Sequence, residues 1–199
     1  MAWNRYYIFV KNIRSTELSD ILPKLNLGHY KPLREVTLSA TNKPTTLFAG
    51  FYNGNLMLVH QELVFKFFGP VQSEEEMRFI ETFPESEIAV LVLNESVGLF
   101  SFALIDRGTK IRMKDGCDGE IYNDVGAPLP EEMEVRSEEI FMEEDLESMK
   151  EDGMTEADIQ AMIEFEASYR VPDRLTKRYI GGDILSMDTD IVKLIMYSL

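Results

Sequence analysis

The sequence predicts an α+β domain: a mainly antiparallel sheet with a central β-meander, flanking short helices and an acidic helical hairpin toward the C-terminal end. Three observations predict it. Two apolar runs, 88–93 and 97–105, show no alternation of apolar with polar residues, so each reads as a strand covered on both faces at the centre of a sheet. Asn53-Gly54 joins two further apolar runs, 47–52 and 55–60, and both residues of such a turn take the positive φ that a tight hairpin needs. Residues 131–166 hold fifteen Asp or Glu against two basic residues, a net of −13, which leaves only −2 of the chain's −15 for everything else.

The meander extends beyond the two apolar runs. Residues 110–114 alternate and predict a strand with one buried and one wet face, and 120–123 predict a fourth strand. The loops between them fall at 106–108 and 115–119, where Asp and Gly concentrate.

Earlier in the chain, 4–10 is rich in aromatic and β-branched residues and predicts a strand. Ser15 is placed to cap a short helix carrying Leu18, Ile21, Leu22 and Leu25, with Pro23 tolerable only near its first turn and Asn26-Leu27-Gly28 ending it. A strand is expected at 33–38 and a short helix at 62–68, stopped by Gly69-Pro70. Ser73 and Glu76 form a capping box, and the helix they start is expected to turn Met77, Ile80 and Phe83 inward before Pro84.

After the loop 126–130 comes the acidic segment. A helix at 140–150 spaces Met142, Leu146 and Met149 for one face, and Gly153 ends it. Thr155 to Asp158 starts a second helix with Ile159, Met162 and Ile163 inward, and Pro172 is expected to break it. Apolar pieces remain at 179–180 and 191–197. The length suits one domain, 1–199, with 131–170 either part of it or appended to it.

At 45% hydrophobic and 11% aromatic the chain can bury a core. Its single cysteine, Cys117, allows no internal disulfide. The N-terminal residues lack a signal-peptide pattern and no apolar run reaches membrane length, so a cytoplasmic protein without a membrane partner is expected. A net charge of −15 argues against nucleic acid, whose phosphates it would repel.

Met1-Ala2-Trp3, Tyr52-Asn53-Gly54-Asn55, Gly108-Thr109-Lys110-Ile111-Arg112, the stretch 126–132 and Thr176-Lys177-Arg178-Tyr179-Ile180-Gly181 occur in an order that resembles a family of small, uncharacterised bacterial cytoplasmic proteins. That family has no assigned activity, so the resemblance implies no catalytic residues. The segment 137–171 departs most from its pattern.

Residue chemistry is sparse. Two histidines, His29 and His60, and one cysteine cannot make a structural zinc site. The loop at Asp115 and Asp118 superficially suggests a calcium loop, but its twelfth position is Gly126 rather than a bidentate glutamate. No metal site, cofactor or nucleophile elbow is expected. Arg178 with Asp183, Asp188 and Asp190 are the candidates for an enzyme site, against which stands a turn followed by helix caps. Arg107, Lys110, Arg112 and Lys114 make a basic row that reads as the solvated face of an outer strand, as a binding site for an anion or for a partner's acidic surface, or as a partner for the protein's own acids. The leading expectation is a non-catalytic module that binds a basic protein through its acidic helices, with Glu143, Glu144, Glu147 and Glu151 as contact residues. The alternatives are an enzyme of unknown reaction and a purely solubilising acidic face. Oligomeric state is left open.

Overall fold

The computed structural model describes residues 4–13, 17–43 and 45–199. Its elements, in chain order, are β1 (Arg5–Val10), α1 (Leu18–Lys24), β2 (Lys31–Thr37), β3 (Leu47–Tyr52), β4 (Asn55–Val59), α2 (Gln61–Val64), α3 (Glu74–Thr82), β5 (Glu87–Asn94), β6 (Leu99–Asp106), β7 (Thr109–Cys117), β8 (Glu120–Gly126), α4 (Pro130–Arg136), α5 (Glu143–Glu151), α6 (Glu156–Ile180) and β9 (Lys193–Ser198). Ser15 and the Met1-Ala2-Trp3 motif lie outside the described residues.

Among the described residues, nine strands form one sheet in the order β2-β9-β3-β4-β1-β5-β6-β7-β8. Every pairing is antiparallel. The predicted meander is its second half, β5 to β8, and the Asn53-Gly54 hairpin joins β3 to β4 with φ of 51° and 74° at the two turn residues. The last strand, β9, inserts between β2 and β3, which lie much earlier in the chain.

Helices cover both faces, which explains why the central strands do not alternate. On one face Ile8, Leu58, Val90 and Ile105 pack with Ile21 of α1, Val64 of α2 and Phe79 of α3. On the other, Phe9, Met57, Leu91, Phe100 and Phe102 pack with Val135 of α4 and with Phe165, Val171, Leu175 and Tyr179 of α6. The rings of Phe9 and Tyr179 stack at 4.9 Å. Val90, Val92, Phe100, Phe102 and Leu104 are all buried, as the sequence predicts.

Several expectations need correction. Pro172 does not break the second acidic-segment helix: α6 runs for 25 residues through it. A proline inside a helix costs about 3 kcal/mol. Val171 and Leu175, on either side of it, are buried against the sheet, and that packing outweighs the cost. Only half of the Ser73 capping box forms. Ser73 Oγ accepts from the Glu76 amide at 3.0 Å, but the Glu76 carboxylate turns inward to Lys110 at 2.9 Å instead of back to the cap. The same helix turns Ile80 and Phe83 inward as expected and also buries Phe79, but it leaves Met77 40% exposed.

The largest correction concerns β7. It runs to Cys117, and the turn is only Asp118-Gly119, with φ of 52° and 86°. From Arg112 to Asp115 every residue is buried, so this stretch has no wet face. β8 pairs along its outer edge and α4 and α6 cover its charged side, which the alternation of residue types could not reveal. The register shifts between Leu104 and Ile105, which pair with Arg112 and Lys110 and leave Ile111 as the extra residue of a bulge. The bulge reverses the facing of the strand. Lys110 therefore reaches α3, whereas Arg112 and Lys114 reach α4 and α6, and the expected single row of cations does not exist. Gly126 (φ 91°) makes this packing possible: a Cβ there would stand 2.1 Å from the Ile111 carbonyl oxygen.

Candidate functional site

Two classes of acid stand out in residues 131–166. Glu131, Glu132, Glu134, Glu138 and Glu164, on α4, its following loop and α6, are engaged internally. Glu132 takes a two-point contact from Arg112, at 2.7 Å for both Nε and Nη2, and also accepts from the Leu129 amide. Glu164 accepts from Lys114 and Arg136, and Asp124 of β8 pairs with both Arg112 and Lys114. Glu131 holds Arg178 through two hydrogen bonds, and Arg178 also meets Glu87 at 3.1 Å. Arg174 pairs with Glu134 and Glu138.

Electrostatics follow from these contacts. Burial alone would raise the Asp124 and Glu164 carboxyls, but their cationic partners hold both below the ordinary range. The Arg112 side chain is fully buried and its ring neighbour is Phe102, with the guanidinium carbon 5.8 Å from the ring centre. This belt fixes α4 and α6 to the sheet. Its ion pairs are intramolecular.

The acids of α5 form the second class. The helix buries none of its residues. Glu143, Glu144, Glu147 and Glu151 are exposed, and none has an ion-pair partner among the described residues. Glu143, Glu147 and Glu151 follow one another at four-residue spacing, so they share a helix face and repel. Between the acids, Leu146 and Met149 are half-buried and Met142 is 67% exposed, so the predicted apolar stripe exists but is only partly covered. Gly153 closes the helix with φ 88°, and Thr155 caps α6 in a reciprocal box with Asp158. The resulting hairpin presents α5 as a carboxylate-edged surface with a shallow apolar strip.

The four residues proposed for an enzyme site fall in three neighbourhoods, with only Asp188 and Asp190 together. Arg178 is held by Glu131 and Glu87. Asp183 meets Lys177 at 3.2 Å and borders a cleft of about 380 Å³ together with Arg5, Glu95, Tyr169, Asp173 and Arg174. Asp188 caps the 3-10 turn Thr189–Ile191, and Asp190 accepts from Ser39 at 2.6 Å on the neighbouring 3-10 turn Leu38–Ala40. The cleft was not legible in the sequence, since Arg5 and Asp173 are 168 residues apart and meet at 2.8 Å.

Asp115, Cys117 and His60 have structural partners. Asp115 is nearly buried on β7, accepts from Asn123, and is shifted upward by burial. Cys117 Sγ donates to the Val97 carbonyl. No group of three or more potential metal ligands occurs among the described residues. His60 caps α2: its Nδ1 accepts from the Leu63 amide at 3.2 Å, which leaves the proton on Nε2 to donate to Tyr30 Oη at 2.9 Å. Burial lowers the His60 pKa, against a smaller opposing pull from Glu62. Arg107 takes the positive φ of the β6–β7 turn and borders an open groove with Lys11 and Lys24.

Comparison of the chain with protein-family models, curated proteins and solved structures finds no match in any of the three. Among the described residues, no helix is long and apolar enough to cross a membrane.

Proposed function

We propose that this chain is an intracellular, non-catalytic binding module that engages a basic protein through α5, with Glu143, Glu144, Glu147 and Glu151 as its charged contacts. The observation that carries this reading is the division of the carboxylates. The fold offsets Glu131, Glu132, Glu134, Glu138 and Glu164 with cations, yet leaves the four α5 glutamates without an ion-pair partner among the described residues, three of them spaced to repel one another. A like-charge pair at four-residue spacing costs a helix about 0.2–0.5 kcal/mol, a cost that a basic partner would remove. Met142, Leu146 and Met149 give the same surface an adaptable apolar strip. The partner this combination suits is an amphipathic basic helix.

The test is a titration with a basic amphipathic peptide at low and moderate salt. The wild type is compared with a variant carrying Gln at the four α5 glutamates, and the peptide with a scrambled one of equal charge. Binding that weakens with salt, with the Gln variant and with scrambling supports the proposal. Equal binding throughout makes α5 a solvated, solubilising face.

A further inference from the structure

Two partly covered apolar surfaces of this chain carry opposite charge. One is α5, where exposed glutamates edge Met142, Leu146 and Met149. The other lies at the β2 edge of the sheet, on the face that α6 packs against farther along. Val36 of β2 and Met196 of β9 sit on that face and are half-buried. Residues directly opposite one another in an antiparallel pair share a face, as do alternate residues of one strand. Arg34 stands opposite Met196, and Lys31 stands opposite Ser198, two residues further along β9. Both cations therefore project from the same face as Met196. Lys43 reaches this face from the segment between β2 and β3, with its Nζ 3.9 Å from Met196 Sδ. Lys31, Arg34 and Lys43 are exposed, and none has an ion-pair partner among the described residues. Glu35 stands opposite Ile195 on the other face of the sheet, and Asp190 accepts from Ser39.

The two surfaces do not meet within one chain. Tyr179, near the end of α6, stacks on Phe9 of β1, while Phe165, in its first half, packs on Phe100 of β6 with ring centres 5.4 Å apart. The helix therefore runs away from the β8 edge, and α5, joined to its start by a short turn, stands on the β8 side. β9 lies five strand spacings from β6, roughly 24 Å at the usual separation. α5 reaches such a patch only on another molecule.

We propose that α5 docks on the Lys31, Arg34 and Lys43 patch of a second copy of this chain, an inference that rests on α5 being the acidic contact surface. Glu143, Glu144, Glu147 and Glu151 meet the three cations, and Met142 and Met149 meet Val36 and Met196. The contact uses different surfaces on the two copies, so it adds molecules head to tail. Outside residues 131–166 the chain carries only −2 of its −15, so the β2 edge is free of most of the charge that would oppose docking. Repulsion between whole molecules acts over longer distances and is largely screened at about 0.1 M salt, where the Debye length is about 10 Å. Salt added beyond that weakens the contact itself. A basic amphipathic peptide competes for α5 and releases the copies.

The test is analytical ultracentrifugation of the full chain from micromolar to millimolar concentration, at about 0.1 M and about 0.5 M salt. The average mass should rise with concentration at the lower salt and less at the higher. Lys31→Glu with Arg34→Glu should remove the rise and leave the basic peptide bound, which also shows that this variant is folded. Gln at the four α5 glutamates should remove both the rise and the peptide binding. Mixing these two variants restores one intact pair of surfaces, so the mixture should form a dimer that grows no further. With the peptide still binding, a wild type that stays monomeric overturns this inference and leaves the α5 reading standing. So does a Lys31→Glu, Arg34→Glu protein that associates like the wild type, or a mixture that does not dimerise. A peptide that binds the Gln variant as well as the wild type overturns the α5 reading and this inference with it.

Discussion

Lys110 and Arg112 stand two residues apart on β7 and leave it on opposite faces of the sheet. Lys110 donates to the Phe67 carbonyl at 2.6 Å and to Glu76 at 2.9 Å, while Arg112 grips Glu132 across the other face. A regular strand would have put both on one side. The bulge at Ile111 lets one short basic stretch anchor helices in both outer layers.

The two residues share no partner, so their energetic effects should add. Lys110→Met with Arg112→Lys should cost the sum of the single changes to within about 0.5 kcal/mol. Arg112 and Lys114 share Asp124, so Arg112→Lys with Lys114→Met should depart from additivity by about 0.5–3 kcal/mol. Urea unfolding of the singles and doubles measures both. Strong coupling in the first pair would contradict the bulge.

Phe102 lies in β6 and packs into the core shared with α6. Phe102→Ala should cost about 3–5 kcal/mol by the same measurement. A loss below about 1 kcal/mol would contradict its burial between the sheet and α6.

Protonation of His60 must sacrifice the α2 cap, because its Nδ1 already accepts from the Leu63 amide. The folded-state pKa is lowered, so the unfolded chain binds the proton more readily. Stability from this group is complete above the unfolded value of about 6.5 and is lost as pH falls through the lower folded value. Other groups face the ring: Tyr30, His29, Glu62, Lys66, Glu75 and Arg78 share its pocket. Unfolding measured from pH 8 to pH 5 should show this loss in the wild type and less of it in His60→Asn, which keeps a capping side chain that does not titrate. Identical pH dependence in the two proteins would contradict the assignment.

What the sequence discloses and what it hides have physical causes. The continuous apolar runs of β5 and β6 are dictated by helices on both faces, and the Asn53-Gly54 turn by local backbone geometry, so both are readable from neighbouring residues. The fate of Arg112 and Lys114 is not. Their burial depends on Glu132 and Glu164, which follow in α4 and α6, and on a bulge that no local pattern marks. The insertion of β9 between β2 and β3 and the meeting of Arg5 with Asp173 are likewise contacts between distant parts of the chain. The acidic segment was legible as a charge run. Its division into neutralised and unpaired carboxylates required knowing which cations the sheet delivers to it.

The central claim is that α5 is the face that meets a basic partner, and hydrogen exchange with and without a bound basic amphipathic peptide tests it most directly. Free α5 buries no residue and carries like-charge pairs, so its amides should exchange faster than those of the Val171–Tyr179 part of α6. On binding, protection should rise in 142–152 and stay unchanged in α4 and in β7. Gln at Glu143, Glu144, Glu147 and Glu151 should abolish that rise. Protection appearing elsewhere on the molecule, or persisting in the Gln variant, would contradict the account.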